Sequence, residues 1–307
     1  MGTSTCTKTR VNFRQIGEWK FWHSKETLSL PEKNLLEAEK IVSAFSDSYP
    51  VKKTWVKENF GVPTLILRMD CSILNGHLNP YKIDECPDGI AALKEINPKF
   101  CSVLNRSQNR WPKLRALRNS FSQSYDDNLW LEEINPDEAL KNPGLLLIRA
   151  KSEEDVPEHF KKWLAHPLIS QDDESCALKM GLWKEVNLND FDILDWQGGF
   201  CLRARNNSES AEIEIWHPQK NKFQGQGICG FSTKLKIENA LKENKQMFYQ
   251  PFIMPMKSPS DKKMVYRLFF VFNLSGGMKY EYAGGIWIER PNIVINRAED
   301  SIIGPVN

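Results

Sequence analysis

The sequence carries little net charge. Its 307 residues include 41 Lys and Arg against 39 Asp and Glu, which gives a formal net charge of +2. A chain so close to neutral has no overall field that would attract nucleic acid or an anionic membrane. It also lacks an apolar run long enough to span a membrane and an apolar signal region near the N-terminus. We therefore expect a cytoplasmic protein that binds neither nucleic acid nor membrane.

Motifs built on cysteine, serine or histidine are missing as well. The seven cysteines are odd in number, scattered, and never spaced as C-x-x-C, which argues for reduced thiols and against a disulfide framework or a structural zinc site. No G-x-S-x-G occurs, so a serine-hydrolase elbow is unsupported. The five histidines show no metal-ligand spacing.

The sequence does contain apolar residues at the spacings of helices and strands, as a folded globular chain has. Its length allows one elaborate domain or two packed lobes, and 41% of its residues are hydrophobic. The second half of the chain contains strand-like runs, among them MVYRLFFVFN and YEYAGGIWIE. Helices interleaved with hairpins predict an α+β or mixed α/β architecture. Apolar residues at helical spacing after Pro31 predict an amphipathic helix with one apolar side made of Leu35, Leu36, Ala38, Ile41, Val42 and Phe45.

One hairpin concentrates charge. The apolar, β-branched run VPTLILRMDCSIL, then Asn75-Gly76, then LNPYKID have the sequence form of a β-hairpin. A two-residue loop would oppose Asp70 to Tyr81. A three-residue loop that includes His77, with a glycine-assisted bulge, opposes Asp70 to Lys82 and Arg68 to Asp84, and we predict this pairing.

Two interpretations of the four charges remain open. Cross-strand ion pairs on a solvated face would contribute only about 0.2 to 1 kcal/mol each. In a phosphate or metal site, the carboxylates would hold a hard cation and the basic groups would neutralise phosphate oxygens.

Four segments in this order resemble the glutathionylspermidine synthetase-like ATP-grasp ligases in their circularly permuted arrangement. They are RMD with YKID, GGFCLRARNNSES, FYQPFIMP and AGGIWIERPNIVINRAEDSIIGPV. The resemblance implies an ATP-grasp-like fold of two lobes of antiparallel sheet with helices. It assigns residues 1–135 to the N-terminal helix and the metal hairpin, and residues 136–307 to the nucleotide-binding lobe and the closing strands.

The resemblance also implies site residues and a function. Such ligases use ATP and Mg²⁺ to join a carboxylate to an amine through an acyl-phosphate. Lys82 stands where the family has a metal-bridging Glu, Arg203 where it has a nucleotide lysine, and the residues around Ser208 where it has a Gly-rich loop. These departures keep a second hypothesis open, a pseudoenzyme or nucleotide-regulated binding module. By position, the implied metal ligands are Asp70 and Asp84, the implied nucleotide contacts are Lys82, Arg203, Ser208, Ser210 and Gln250, and the implied catalytic residues are Arg68 and Arg290.

Overall fold

The fold is known from a computed structural model that describes part of the chain. The described residues are 11–16, 19–47, 66–84, 90–108, 115–117, 132–134, 146–147, 184–187, 189, 197–204, 213–217, 222–225, 234–243, 247–258, 260–273, 279–291 and 300–307.

The largest element is an eight-stranded sheet built from both ends of the chain. Its order is β1-β2-β16-β15-β14-β3-β4, and the short β13 pairs with β14. Neighbours are antiparallel except for β2 and β16, which are parallel, so the sheet is mixed. The strands are β1 (Val11–Ile16), β2 (Trp19–Ser24), β3 (Ile66–Leu74), β4 (His77–Asp84), β13 (Met256–Lys257), β14 (Lys263–Asn273), β15 (Lys279–Arg290) and β16 (Ile302–Val306).

The middle of the chain forms two smaller sheets. The five-stranded sheet is antiparallel in the order β11-β10-β9-β12-β8, and the three-stranded sheet is parallel in the order β6-β5-β7. Their strands are β5 (Arg115–Leu117), β6 (Glu132–Ile134), β7 (Leu146–Leu147), β8 (Lys184–Val186), β9 (Phe200–Ala204), β10 (Ile213–His217), β11 (Lys222–Gly225) and β12 (Met247–Pro251).

Few helices accompany these sheets in the described part of the chain. They are α1 (Glu32–Asp47), α2 (Ile90–Ile96), α3 (Pro98–Gln108) and α4 (Lys234–Lys242). The described structure is therefore sheet-rich, with few helices and a mixed sheet, which is compatible with the predicted α+β class. The predicted division after residue 135 falls outside the described residues. Of the helices described, none combines the length and the apolar character that a membrane span requires.

Helix α1 confirms the predicted helix but not all of its predicted apolar side. Ala38 and Val42 are fully buried in the core, whereas Leu36 is 52% exposed. Helical spacing predicts an apolar residue on the buried side one turn before Ala38. The residue at that position is Asn34, which is buried and whose side-chain amide donates a hydrogen bond to the carbonyl of Gly76 at 3.0 Å. Burial there follows from a hydrogen bond to the hairpin turn, which hydrophobic periodicity cannot reveal.

The hairpin has the predicted pairing, but the predicted three-residue loop is wrong. Asn75 and Gly76 alone form the turn, with φ of 54° and 77°. Both angles are positive, as in the type I′ turn that Asn-Gly favours. The register shifts between Asp70 and Cys71, where Tyr81 is the extra residue of a bulge. The offset that was expected at the turn is therefore made inside strand β4.

The hydrophobic core lies around the central strands β3, β14 and β15. Leu67, Met69 and Leu268 are fully buried in it, as are Phe269 and Phe270. Near-continuous apolar runs are typical of strands that are covered on both faces. A second cluster joins the five-stranded sheet to α4, and it consists of Val186, Phe200, Leu202, Trp216, Ile237, Leu241 and Met247.

Asn97 ties the helices to the end of the chain. Its fully buried side chain donates to the carbonyls of Gly285 at 3.0 Å and Val306 at 2.8 Å. Its Oδ1 accepts from the backbone N–H of Lys99 at 3.0 Å, at the start of α3. One side chain thus connects a helix N-terminus to β15 and β16.

We expect Asn97→Ala to lower the free energy of unfolding by about 3 kcal/mol, because it removes two buried hydrogen bonds and a third that is partly buried. Chemical denaturation measures this. Asn12→Ala, at an exposed position on β1, should change the free energy by less than about 0.5 kcal/mol. Equal effects in the two variants would contradict the role given to Asn97.

Candidate functional site

Three strands of the large sheet bring charged residues into register. Strand pairing sets Asp70 between Lys82 on β4 and Arg267 on β14, and it sets Arg68 opposite Asp84. Residues opposed in this way, and residues two apart on one strand, share a face of the sheet. Arg68, Asp70, Lys82, Asp84 and Arg267 therefore lie on one face, which we call the Asp70 face.

The bulge is what makes this arrangement possible. Without the extra residue at Tyr81, Asp70 would oppose Tyr81, and Lys82 would lie on the other face. The Tyr81 hydroxyl donates to Ser72 Oγ at 2.7 Å. Because Ser72 is two residues from Asp70 on the same strand, this bond fixes Tyr81 next to the charged rows.

Asp70 lies between two guanidinium groups. Arg68 contacts both carboxylate oxygens, with Nε 3.0 Å from Oδ1 and Nη2 3.3 Å from Oδ2. Nε of Arg267 lies 3.6 Å from the same Oδ1. The side chains of Arg68, Arg267 and Asp70 are only 3%, 10% and 15% exposed. Ionic contacts that exclude water in this way are screened far less than contacts on the surface.

The Asp70 face carries more positive than negative charge. Its two opposed rows contain Arg68, Lys82 and Arg267 against Asp70 and Asp84. Placing charges away from water is costly unless partners compensate them. A face with this composition favours an anionic ligand over a cationic one.

The Cys201 thiol of the five-stranded sheet influences the Tyr81 phenol of the large sheet, which lies beside this face. Burial raises the pKa of the Cys201 thiol to about 12. Burial is also the main cause of the raised pKa of Tyr81, to which the neighbouring Cys71, Cys201 and Asp70 add. Both groups are therefore protonated at neutral pH, and Tyr81 stays a hydrogen-bond donor. Cys201 of β9 is close enough to influence Tyr81 of β4.

Gln250 and Arg203 occupy neighbouring positions in that sheet. Buried Gln250 on β12 pairs with Cys201, and Arg203 pairs with Phe248. By strand alternation these four residues share one face, which is opposite to the face that packs against α4. The side chain of Arg203, like Ser208 and Ser210, lies outside what the structure describes.

Arg290 is placed apart from Asp70. It pairs with Lys263, four residues from Arg267 on β14 and on the same face. At about 3.4 Å per residue this is roughly 14 Å along the strand. Buried Arg290 also contacts Asp300, with Nε and Nη2 each 2.7 Å from Oδ1. The structure thus groups Arg68, Asp70 and Lys82 and leaves Arg290 at the end of the same face.

Sequence reasoning missed Arg267. It stands in the strand-like run MVYRLFFVFN, where a single charge in a run of ten residues was the available signal. A charged residue in a strand that is buried on both faces needs a partner. That partner, Asp70, could not be identified from the sequence because it lies in a segment about 200 residues away in the chain.

The surroundings of Asp70 do not suit a magnesium ion. Magnesium takes oxygen ligands, and two guanidiniums already occupy the neighbourhood of this carboxylate. Among the described residues, no group of three or more His, Cys, Asp and Glu side chains is placed to hold a metal ion. Asp84 is paired with Arg68 through the backbone, and its side chain is not described. The assignment of Asp70 and Asp84 as metal ligands stays a prediction. The guanidinium groups around Asp70 do not favour it.

Comparisons with known proteins give little to set beside this geometry. No protein-family model matches the chain, and no curated protein does. One similar solved structure comes from Methylobacillus flagellatus KT, and its name, gamma-glutamylcysteine synthetase, is itself a provisional assignment. The two chains share 11% identity and a TM-score of 0.38, over 87% of this chain and 84% of that chain. At this level of likeness neither a shared fold nor a shared activity follows.

We expect Asp70→Asn to lower the free energy of unfolding by about 2 kcal/mol, because two buried guanidiniums lose their carboxylate. Urea denaturation of the variant and of the wild type measures the difference. Asp261→Asn is a matched control, since Asp261 pairs with Lys257 but is 79% exposed, and it should cause no measurable change. A silent Asp70→Asn would show that the buried ion pairs contribute nothing to stability.

Proposed function

We propose that this protein binds ATP in the manner of an ATP-grasp enzyme and ligates a carboxylate to an amine. The observation that carries the proposal is the Asp70 face, where Arg68 and Arg267 hold a buried carboxylate and Lys82 stands opposite. Basic groups fixed in a site shielded from water are what phosphoryl transfer requires, because its catalysis is mostly positioning and charge stabilisation. The four segments that resemble ATP-grasp ligases support the same reaction class.

The proposed reaction has two steps. A carboxylate oxygen of the substrate attacks the γ-phosphorus of ATP, the bond to the bridging oxygen breaks, and ADP leaves. The amine nitrogen then attacks the carbonyl carbon of the acyl-phosphate, inorganic phosphate leaves with the bonding electron pair, and the nitrogen loses a proton. The products are an amide, ADP and phosphate.

The proposed site residues contact different parts of the reacting molecules. We propose that Lys82 and Arg203 contact nucleotide phosphates, with Ser208 and Ser210 covering them. Gln250, buried on the other sheet, would bind nearer the base. The catalytic roles proposed for Arg68 and Arg290 are to stabilise charge on the acyl-phosphate and on the tetrahedral intermediate.

We further propose a cytoplasmic setting, and partners limited to ATP and the carboxylate and amine substrates. The reduced thiols that the cysteine pattern predicts fit that compartment.

A second candidate is a nucleotide-regulated binding module that does not ligate. The observation that favours it is the engagement of both Asp70 oxygens by Arg68, together with a lysine on the opposing strand where the resembled family has a glutamate. Such a site could keep a nucleotide without consuming it.

ATP with magnesium should raise the melting temperature by several degrees. Ligand at about a hundred times its dissociation constant adds roughly 2.7 kcal/mol to the free energy of unfolding. Differential scanning fluorimetry with ATP, with ADP and with adenosine measures the shift. The phosphate-bearing ligands should give the shift, and adenosine should give little. An unchanged melting temperature at millimolar ATP would contradict both candidate functions.

Lys82→Glu separates the two candidates. If the protein is a working ligase, we expect Lys82→Glu to slow ADP formation at least tenfold, because the substitution replaces a phosphate-binding cation by an anion. The assay supplies mixed amino acids as carboxylates and hydroxylamine as the amine, and it measures ADP and hydroxamate together. Arg14→Gln, which removes an equal kind of charge on the outer strand β1, should keep the rate. If the wild type forms no ADP and the Lys82→Glu variant does, the result would favour the binding module.

A further inference from the structure

We propose that His23 is a pH-sensitive switch, and that protonation of its imidazole releases the β1–β2 hairpin from the rest of the large sheet. The proposal is independent of nucleotide binding, because β1 and β2 lie at the opposite edge of the sheet from β3 and β4, which carry most of the Asp70 face. It gives a regulatory role to a buried histidine that the proposed reaction does not use.

The first observation is how the β1–β2 hairpin is attached. Six residue pairs join β1 to β2. In the described structure, β2 meets β16 through two pairs, Trp22 with Ile302 and His23 with Ile303. The N–H of Trp22 also donates to the carbonyl of Ser301 at 2.9 Å. The hairpin is therefore a unit of its own, and its short junction with the sheet lies at His23.

The second observation is the environment of the imidazole. His23 is 8% exposed, and Phe21, two residues away on the same face, is buried in the core. Nδ1 of His23 is cut off from water and has no hydrogen-bond partner within the described part of the chain. An imidazolium carries a proton on both nitrogens, so protonation would leave a buried, charged N–H donor without an acceptor. This cost falls on the charged form.

The third observation is the set of charges around His23. Arg14 on β1 and Lys25, which follows β2, oppose a positive charge on the imidazole, whereas Glu95 on α2 favours one. Glu95 is already engaged by Arg14, in an ion pair that connects β1 to α2. From β16 the paired residue is the apolar Ile303. Burial and then Arg14 are the main causes of a lowered pKa for His23; Glu95 opposes them and Lys25 adds to them.

The direction of the switch follows from this environment. In the open hairpin, His23 regains the ordinary histidine pKa of about 6.5, so the open form takes up a proton more readily than the closed form. The junction is therefore most stable above about pH 6.5 and weakens as the pH falls below that value. The chain after the hairpin keeps its own hydrogen bonds, from Trp287 Nε1 to the Glu26 carbonyl and from the Leu28 N–H to the Pro305 carbonyl. We expect mild acid to open the β1–β2 hairpin and leave the central strands closed.

Hydrogen exchange of the full chain at pH 7.5 and pH 5.5, read by mass spectrometry, tests the switch. Protection factors, which correct for the intrinsic pH dependence of exchange, are compared for β1 and β2 and for the central strand β14. Between the two pH values we expect protection of β1 and β2 to fall at least about threefold, within the roughly tenfold limit set by one proton with an ordinary pKa of about 6.5. Protection of β14 should hold. Unchanged protection of the hairpin, or an equal loss in β14, would overturn the proposal.

Histidine variants test the residue itself. His23→Gln removes the titrating group, so the acid-dependent loss of protection in β1 and β2 should disappear. His77→Gln is the matched control, since His77 is 78% exposed, and it should show the loss seen in the wild type. Circular dichroism checks that each variant is folded. A folded His23→Gln that keeps the loss would overturn the proposal.

Two charge variants test the switch even if His23→Gln does not fold. Glu95→Gln leaves only positive charges near His23, so the loss of protection at pH 5.5 should exceed that of the wild type. Arg14→Gln frees Glu95 to stabilise the imidazolium, so the loss should become smaller. Both substitutions break the same ion pair. An equal change in the same direction in both variants would show that only the ion pair matters, and it would contradict the switch.

Discussion

The pairing of Asp70 with Arg68 and Arg267 is the constraint on which the charged face depends. Two segments about 200 residues apart, the β3–β4 hairpin and β14, meet at this carboxylate, and the buried charges of Arg68 and Arg267 depend on it as a partner. The bulge at Tyr81 serves the same arrangement, because it turns Lys82 toward Asp70. Its fixation by the Ser72 hydroxyl links a local backbone irregularity to the electrostatics of the site.

Strand pairing and side-chain hydrogen bonds connect these strands to the surrounding fold. β14 and β15 form the long central pair, and the last strand, β16, joins them to the N-terminal hairpin. Asn97 fastens the start of α3 to β15 and β16. Helix α1 contacts the β3–β4 hairpin. Asn34 donates a hydrogen bond to the Gly76 carbonyl, and Glu37 accepts one from the Leu78 N–H. A site that needs charges placed within fractions of an ångström benefits from a scaffold tied at both ends.

The sequence was sufficient where local chemistry decides the structure. Asn75-Gly76 predicted the turn, and the spacing of Ala38 and Val42 predicted the buried stripe of α1. It was insufficient where a tertiary partner decides. Asn34 was not placed on the buried side because its burial follows from its hydrogen bond to the Gly76 carbonyl. The pairing of Asp70 with Lys82 was predicted correctly but for the wrong reason, since a bulge within a strand leaves no signal as plain as a glycine turn. Arg267 was missed because the partner of a strand cannot be found from its own residues.

The measurement that tests the account most directly is a crystal structure of the protein with a non-hydrolysable ATP analogue and magnesium. The account predicts phosphoryl oxygens about 3 Å from the Lys82 ammonium, with Asp70 still beside Arg68. A nucleotide bound away from the Asp70 face would contradict it.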